Sequence, residues 1–359
     1  MNLLTKLIFR FKSPPIVIIA GNNRSCAAEA VFQILKPFFE IAKIQKINPG
    51  SILKNKILVL RSEDKNARDL YFFIKKSSKP ILVVTHISEM PPGVNFFAGD
   101  VKRVQEITKL AGCLDVGDFL ILNFDDETVR EIEQKTLARP LTFGLQKGAD
   151  FRATDIHMNE IATNFKINYQ ENIVPVWLKD LFGKEQIYAA LAAISVGVRF
   201  GLNLVELSQA LKNYKSFPGR MRMIEGMKSS RILDDSENST PFSMIEALEV
   251  LKKIKTKGRK IAVLGDILGI GEYSIGAHET IGERMAGCAD LFFLLGPRTR
   301  FLVQGAQRQG LAKEKIFRFD TMKQLINALQ DKIQENDLIL VDGSKEMNMT
   351  KIVEEIKTV

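Results

Sequence analysis

The sequence predicts an α/β protein made of two consecutive units, and three observations carry that reading. Short apolar, β-branched runs alternate with helical stretches, the pattern of mostly parallel sheets covered by helices on both faces. A Pro/Gly break in FPGRM, residues 217 to 221, separates two such runs. The length of 359 residues accommodates two or three domains at roughly 100 to 200 residues each.

Residues 1 to 14 form a basic stub in which Lys6, Arg10 and Lys12 are set among Leu3, Leu4, Leu7, Ile8 and Phe9. It lacks the long apolar core and cleavage site of a signal peptide. It reads as a short helix packed on the next domain or, at most, as a peripheral contact of residues 1 to 13 with an anionic membrane surface. The first unit, residues 15 to 221, opens with IVIIA (16–20), which enters a Gly/Asn turn and a helix over 27–39. ILVL (57–60), ILVVT (81–85) and FLILN (119–123) continue as buried strands. After Gly148, FRATDIHMNE and NFKINYQENIVPVWL read as an antiparallel edge, followed by an Ala-rich core helix over 186–200. The second unit, residues 222 to 359, alternates strands at 231–233, 261–264, 291–295 and 338–341 with helices at 243–254, 278–286, 299–309, 322–333 and 347–356.

Composition narrows the partners. Lys+Arg 51 against Asp+Glu 42 gives +9, which favours anionic ligands, but the charges are interleaved. A nucleic-acid binder would need a basic stripe with stacking aromatics, and none is found. The three cysteines, Cys26, Cys113 and Cys288, are far apart and form neither a zinc motif nor a disulfide framework. No apolar run reaches the about 18 residues of a membrane span. A cytoplasmic location is expected.

Three segments and one histidine can carry chemistry. In IVIIAGNNRSCAAE (16–29) a strand feeds a turn and a helix, the layout in which backbone N–H groups cradle phosphate. A working phosphate loop also needs further glycines, a Lys for the β- and γ-phosphates and a Ser/Thr hydroxyl for Mg²⁺. Only Gly21 is present, so by itself the stretch reads as an ordinary strand–helix turn. LDDSENSTPFSM (233–244) places two carboxylates and an amide at the carboxyl end of a strand, where such folds bind ligands. Asp235 and Asn238 suit a ribose, a metal or an amine, while Ser239 or Thr240 as a helix cap with Pro241 in the first turn is the structural alternative. GDILGIGE (265–272) is a Gly-rich turn, and His278 opens a helix that can face the same cleft.

FPGRM, LDDSENSTPFSM, VLGDILGIGEYSIGAHETIG and VDGSKEMNM follow one another in the order and spacing of one family, and the chain resembles the Mur ligases. Within them it is most similar to the type that joins D-alanyl-D-alanine to a UDP-muramyl tripeptide, over residues 15 to 359. VVTHIS (83–88), LILNFDDETV (120–129), LTFGLQKGADFRATDI (141–156) and GKEQIYAALAA (183–193) agree with its central domain. The resemblance implies a central domain with a mostly parallel sheet, a Rossmann-like C-terminal domain, ATP and Mg²⁺ as cofactors, and a UDP-muramyl peptide or related cell-wall precursor as partner. It implies that ATP converts a carboxylate to an acyl phosphate, which an amine then attacks. Residue by residue, Arg220 matches a hinge arginine on the ATP phosphates, and Asn123 and Asp126 match an N-x-D-D segment. Asp235 and Asn238 match a loop facing nucleotide and amine. His278 and Ser344 fall on H-x-x-x-G and G-S positions.

Departures concentrate at the ATP site. Against the family's GxNGKT this chain has Gly21, Asn22, Asn23, Arg24, Ser25 and Cys26, so Ser25 replaces the phosphate lysine and Cys26 the metal-binding hydroxyl. Arg61 stands where a metal-binding Glu follows a strand, Glu185 and Ala189 replace a His and an Asn, and Gly269 and Asp342 replace Glu and Lys. No lysine is in register for the family's carbamylated lysine, and the metal ligands are unassigned. Only about fourteen residues precede the first strand, so the UDP-binding N-terminal domain is expected to be absent and supplied, if at all, by a partner chain. Two functional expectations follow: an amide ligase with a degenerate ATP site, or a pseudo-ligase that binds or scaffolds without turnover.

Overall fold

The computed structural model describes residues 3–43, 48–54, 56–87, 101–237 and 239–358. The basic stub is a helix, Leu3–Lys12, anchored by Phe9, which is fully buried with its ring 4.8 Å from that of Phe73. Burying such a ring contributes about 2–3 kcal/mol, enough to pin a ten-residue helix whose Leu3, Leu4, Leu7 and Phe11 stay exposed.

The first sheet has nine strands: β1 (Ile16–Ala20), β2 (Ile41–Lys43), β3 (Ile57–Arg61), β4 (Pro80–Val84), β5 (Phe119–Asn123), β6 (Pro140–Gly144), β7 (Phe151–Met158), β8 (Ala162–Tyr169) and β9 (Asn172–Lys179). Their spatial order is β2-β3-β1-β4-β5-β6-β7-β8-β9. Pairing is parallel through β6–β7 and antiparallel in the β7–β8–β9 meander. Every residue of β1 and β4 is buried, because helices cover both faces of a central parallel strand, hence the continuous apolar runs in the sequence. One face packs on the helices Arg24–Leu35, Lys184–Arg199 and Leu204–Leu211, the other on Ala67–Lys76, Val101–Ala111 and Phe9.

The second sheet comprises β10 (Arg222–Glu225), β11 (Arg231–Asp235), β12 (Lys260–Gly265), β13 (Leu291–Leu295), β14 (Ile316–Phe319) and β15 (Leu338–Asp342), in the order β10-β11-β15-β12-β13-β14. Only β10 runs antiparallel to its neighbour. Helices Pro241–Lys253, Ser274–Met285 and Thr299–Arg308 cover one face, Met322–Lys332 and Thr350–Ile356 the other. This is the doubly wound α/β arrangement the alternation predicts.

Element bounds shift where local chemistry outweighs periodicity. The first long helix starts at Arg24, not Ala27, because Asn23 takes a left-handed conformation (φ 52°) and turns the chain directly into it. It ends at Leu35 rather than Phe39, since Pro37 has no N–H to continue the ladder. The 243–254 helix begins at Pro241 under a Thr240 cap whose side chain accepts the Ser243 N–H, satisfying an otherwise orphaned donor.

Candidate functional site

The carboxyl ends of β1, β3 and β4 place three loops side by side. Gly21 has φ +100°, and a Cβ on it would lie 2.5 Å from Thr85 Oγ1 and 2.8 Å from the His86 carbonyl. Glycine is required there twice over, by backbone conformation and by contact. The Asn22 N–H donates to the His86 carbonyl at 2.6 Å, tying the turn to the chain after β4. Arginines then hold the turn. Arg24 and Arg103 both donate to the Gly21 carbonyl (2.8 and 2.7 Å), and Arg103 also donates to Asn22 Oδ1 at 2.7 Å.

Arg61, at the end of β3, donates to Ser25 Oγ at 2.9 Å and lies 3.3 Å from Glu63, which also pairs with Arg24. Arg220, in the 217–221 segment between the units, and Lys345, from the second unit, also line this space. Together these groups line a cavity of about 420 Å³ in which five cationic side chains, Arg24, Arg61, Arg103, Arg220 and Lys345, meet two carboxylates, Glu63 and Glu185.

The hinge is gripped by the paired aspartates. Asp234 accepts the Gly219 N–H at 2.8 Å and the hydroxyl of Ser236 at 2.7 Å, and Asp235 accepts the Met221 N–H at 3.1 Å. Gly219 has φ +71°, and an added Cβ would meet Glu237 at 2.5 Å. Beneath the hinge, Gln186 donates to Ser216 Oγ (3.0 Å) and the Arg220 carbonyl (2.8 Å), while Tyr214 Oη donates to Gln186 Oε1 (3.1 Å). Cys26 faces this buried network, its Sγ 3.4 Å from Ser216 Oγ, and burial pushes its thiol up to about 11.

Asp235 and Asp342 are register partners at the ends of β11 and β15, and both are buried. Burial first, and then the charge of Asp342, holds the Asp235 carboxyl well above the usual range. Burial pushes Asp342 up to about 8, against the opposing pull of hydrogen bonds from the Ser239 hydroxyl and the Gly343 N–H. Two adjacent buried carboxylates cannot both ionise cheaply. The pair therefore keeps a proton to higher pH than a free carboxylate would.

A second cavity of about 360 Å³ adjoins the first through His86, Glu185 and Phe242, and is lined further by Asn123, Asp125, Asp126, Tyr188, Asp235 and Glu246. Asp126 accepts the N–H groups of Ile87 (2.7 Å) and Val129 (3.2 Å). Asp125 accepts those of Leu145 (2.7 Å) and Gln146 (3.0 Å) and the hydroxyl of Tyr188 (2.8 Å). These carboxylates clasp three loops into one wall, and burial followed by the Asp125 charge raises Tyr188 so that it remains a donor.

Of the residues singled out from sequence, Asn22, Asn23, Arg24, Ser25 and Arg220 line the cationic cavity, and Asn123, Asp126 and Asp235 the adjoining one. Gly21 forms the turn behind them. His278 is not among the lining residues: its ring is buried under the 265–270 loop, Nε2 accepting the Ile267 N–H at 3.1 Å and Nδ1 donating to the Ser274 carbonyl at 2.6 Å. Ser344 is buried and accepts the Leu268 N–H at 2.8 Å. Both hold the Gly-rich loop. Asn238 lies outside the described residues. Sequence reasoning did not find Glu63, Arg103, Asp125, Tyr188 or Lys345. Asp125, Tyr188 and Lys345 lie inside family-like segments that assign them no role, no motif covers Glu63 or Arg103, and their convergence follows from the strand order.

The donor set does not fit Mg²⁺. That ion demands several oxygen ligands in octahedral geometry, yet Ser25 Oγ already accepts from Arg61, and the Cys26 thiol is neutral and turned into the core. Glu63 is paired with two arginines. Among the described residues no group of three or more His, Cys, Asp or Glu side chains is placed to hold a metal. A phosphate-bearing ligand does fit the cationic cavity, and the adjoining one has room for an organic moiety attached to it.

Comparison with known proteins agrees with this architecture. The family model "Mur ligase middle domain" matches residues 101–197, and "Mur ligase, glutamate ligase domain" matches residues 219–345. The UDP-N-acetylmuramoyl-tripeptide–D-alanyl-D-alanine ligase of Bacillus subtilis is 27% identical over 216 residues, covering 60% of this chain and 46% of that protein. Its Escherichia coli counterpart is 30% identical over 208 residues, covering 57% and 44%. The chain thus spans about half the length of the curated relatives it matches. Among solved structures, a MurF ligase from Thermotoga maritima in complex with ADP superposes with a TM-score of 0.78 at 20% identity, over 98% of this chain and 81% of that one. A pseudomurein peptide ligase type C from Methanothermus fervidus gives 0.64 at 18% identity, over 95% and 79%. At such identities these two likenesses show the fold. With both domain models matched in chain order on the two sheets described above, the chain belongs to the Mur ligase family and carries its middle and C-terminal domains.

Proposed function

We propose that this chain works in cell-wall precursor metabolism as an amide ligase of the Mur type, nearest to the kind that adds D-alanyl-D-alanine to a UDP-muramyl peptide, with an altered phosphate site. The observation that carries this reading is the shared cleft: the 21–25 turn and the Asn123–Asp126 segment of one unit share its lining with Arg220 of the connecting segment and with Asp235 and Lys345 of the other unit. ATP, when bound, supplies the activated phosphoryl group of the family reaction. The chain's own share is to orient and neutralise. Arg220, on a backbone fixed by Asp234, Asp235 and Gln186, is aimed at the phosphates, and the guanidinium groups of Arg24 and Arg61 stabilise negative charge in a partly enclosed site. His278 and Ser344 act as positioning residues for the 265–270 loop. No step is assigned to Mg²⁺.

A second reading, a pseudo-ligase that binds or scaffolds without turnover, is favoured by one specific feature: Arg61 occupies the Ser25 hydroxyl that a catalytic loop would leave to its ligand. In either case we place the protein in the cytoplasm, with a UDP-muramyl peptide as ligand. Among the described residues no helix is long and apolar enough to cross a membrane. A coupled assay for ADP release with a muramyl-tripeptide acceptor and D-alanyl-D-alanine separates the two readings. Turnover that is lost in Arg220→Gln establishes the ligase; no turnover under any metal condition establishes the binding protein.

A further inference from the structure

We infer that the cationic cavity binds a polyphosphate anion through guanidinium groups alone, without a divalent cation, and that Glu63 is the internal carboxylate the anion must displace. This goes beyond the functional reading above and rests only on the cleft being a ligand site.

Among the described residues five cations and two carboxylates line one cavity of about 420 Å³, and Lys345 also lies 3.3 Å from Glu237; the positive balance that remains suits a multivalent anion. A carboxylate bridging two guanidinium groups uses the forked acceptor arrangement that phosphate oxygens also offer, and Glu63 bridges Arg24 and Arg61 in this way. Its side chain is 40% exposed and sits on the short turn Ser62–Asp64, so it can swing outward without disturbing a sheet. Arg220, fixed through its backbone, lines the same cavity.

The same facts exclude a metal partner. A divalent cation approaching Ser25 Oγ would have to displace Arg61 and then remain beside several positive charges. Mg²⁺ bound to the ligand would also withdraw the phosphate oxygens from the arginines. Divalent cation should therefore oppose binding, in contrast to a site that recruits it.

The test titrates inorganic pyrophosphate, and separately ADP, into the full chain by calorimetry, first in EDTA and then with excess MgCl₂. Pyrophosphate is expected to bind in EDTA and to bind severalfold more weakly with Mg²⁺. Glu63→Gln should strengthen binding in EDTA about tenfold, the equivalent of about 1.4 kcal/mol for removal of a competing bridged carboxylate. Arg61→Gln should weaken it by a similar factor. Should Arg61→Gln lower the melting temperature sharply, the Glu63→Gln result still decides. ADP binding tighter than pyrophosphate identifies a nucleotide as the ligand and equal affinity a free polyphosphate; both support the inference. Binding that requires Mg²⁺, no binding of either probe, or an unchanged affinity in Glu63→Gln overturns it. Turnover that depends on Mg²⁺ with no binding in EDTA would sustain the ligase reading and sink this inference, whereas binding in EDTA without turnover does the reverse.

Discussion

Replacing Asp342 with Asn tests the buried carboxylate pair. Asp342 is fully buried, aligned with Asp235 across β11 and β15, and pushed from 3.8 to about 8, first by burial. Its folded-state value lies above its unfolded one, so between those values the native protein holds a proton that the unfolded chain has released. Stability is present at low pH and is lost as pH rises towards about 8, at about 1.4 kcal/mol per unit for one such group. From pH 6 to pH 8 the parent should lose about 2–3 kcal/mol on this account. The amide cannot ionise in either state, so Asp342→Asn should match the parent near pH 4 and lose nothing between pH 6 and pH 8, widening its margin over the parent by about that amount across this interval. It also removes the neighbouring charge that helps raise Asp235, which flattens the pH dependence further. For a unit of this size the difference corresponds to about 5–10 °C in the midpoint of the transition that includes the second unit, read by circular dichroism at several pH values. A variant that is less stable throughout, with the parent's slope against pH, would show that Asp342 is ionised and favourably paired, and the reasoning would be wrong.

Three further outcomes follow from the packing. Gly219→Ala adds a Cβ 2.5 Å from Glu237 at φ +71° and should cost about 2–4 kcal/mol from backbone strain and contact; a melting temperature within 1 °C or so of the parent would refute that. Gln186→Leu leaves Ser216, Tyr214 and the Arg220 carbonyl without their buried partner. It should destabilise by about 2–4 kcal/mol and weaken any cleft ligand through Arg220; unchanged denaturation would contradict the network's role. Cys26, buried and raised to about 11, should resist iodoacetamide at pH 8 in the folded protein, while Cys113, only partly buried, reacts first. Peptide mass mapping that finds Cys26 labelled before Cys113 would show the core around the hinge opening to solvent.

Much of the fold was legible because its central strands are apolar runs with polar ends: Phe119–Asn123 and Leu291–Leu295 lie where the pattern puts them. Strands Ile41–Lys43, Arg222–Glu225 and Ile316–Phe319 were not, being edge strands of three or four residues with mixed polarity, below what period-two alternation resolves. The amphipathic helices Ala67–Lys76 and Val101–Ala111 were passed over for a related reason, since each buries only a narrow stripe. At the site, motif spacing located the 21–25 turn, Arg220 and Asp235. It did not locate Glu63 or Arg103. Their proximity depends on β1 lying between β3 and β4, which brings three sequence-distant loops to one edge. His278 illustrates the converse: both ring nitrogens are engaged, one by the Ile267 N–H of the loop and the other by the Ser274 carbonyl of its own helix.

The central claim is that the cleft between the two units, with the arginine-held turn at its phosphate end, is the ligand site. Amide hydrogen exchange on the full chain, with and without saturating ADP in EDTA, tests it most directly. The account predicts slowed exchange in residues 21–25, 61–63 and 217–221. Slowed exchange confined to the cavity at the amino ends of β5 and β6, around Phe119, Arg139, Arg152 and Arg199, or none at all, would contradict it.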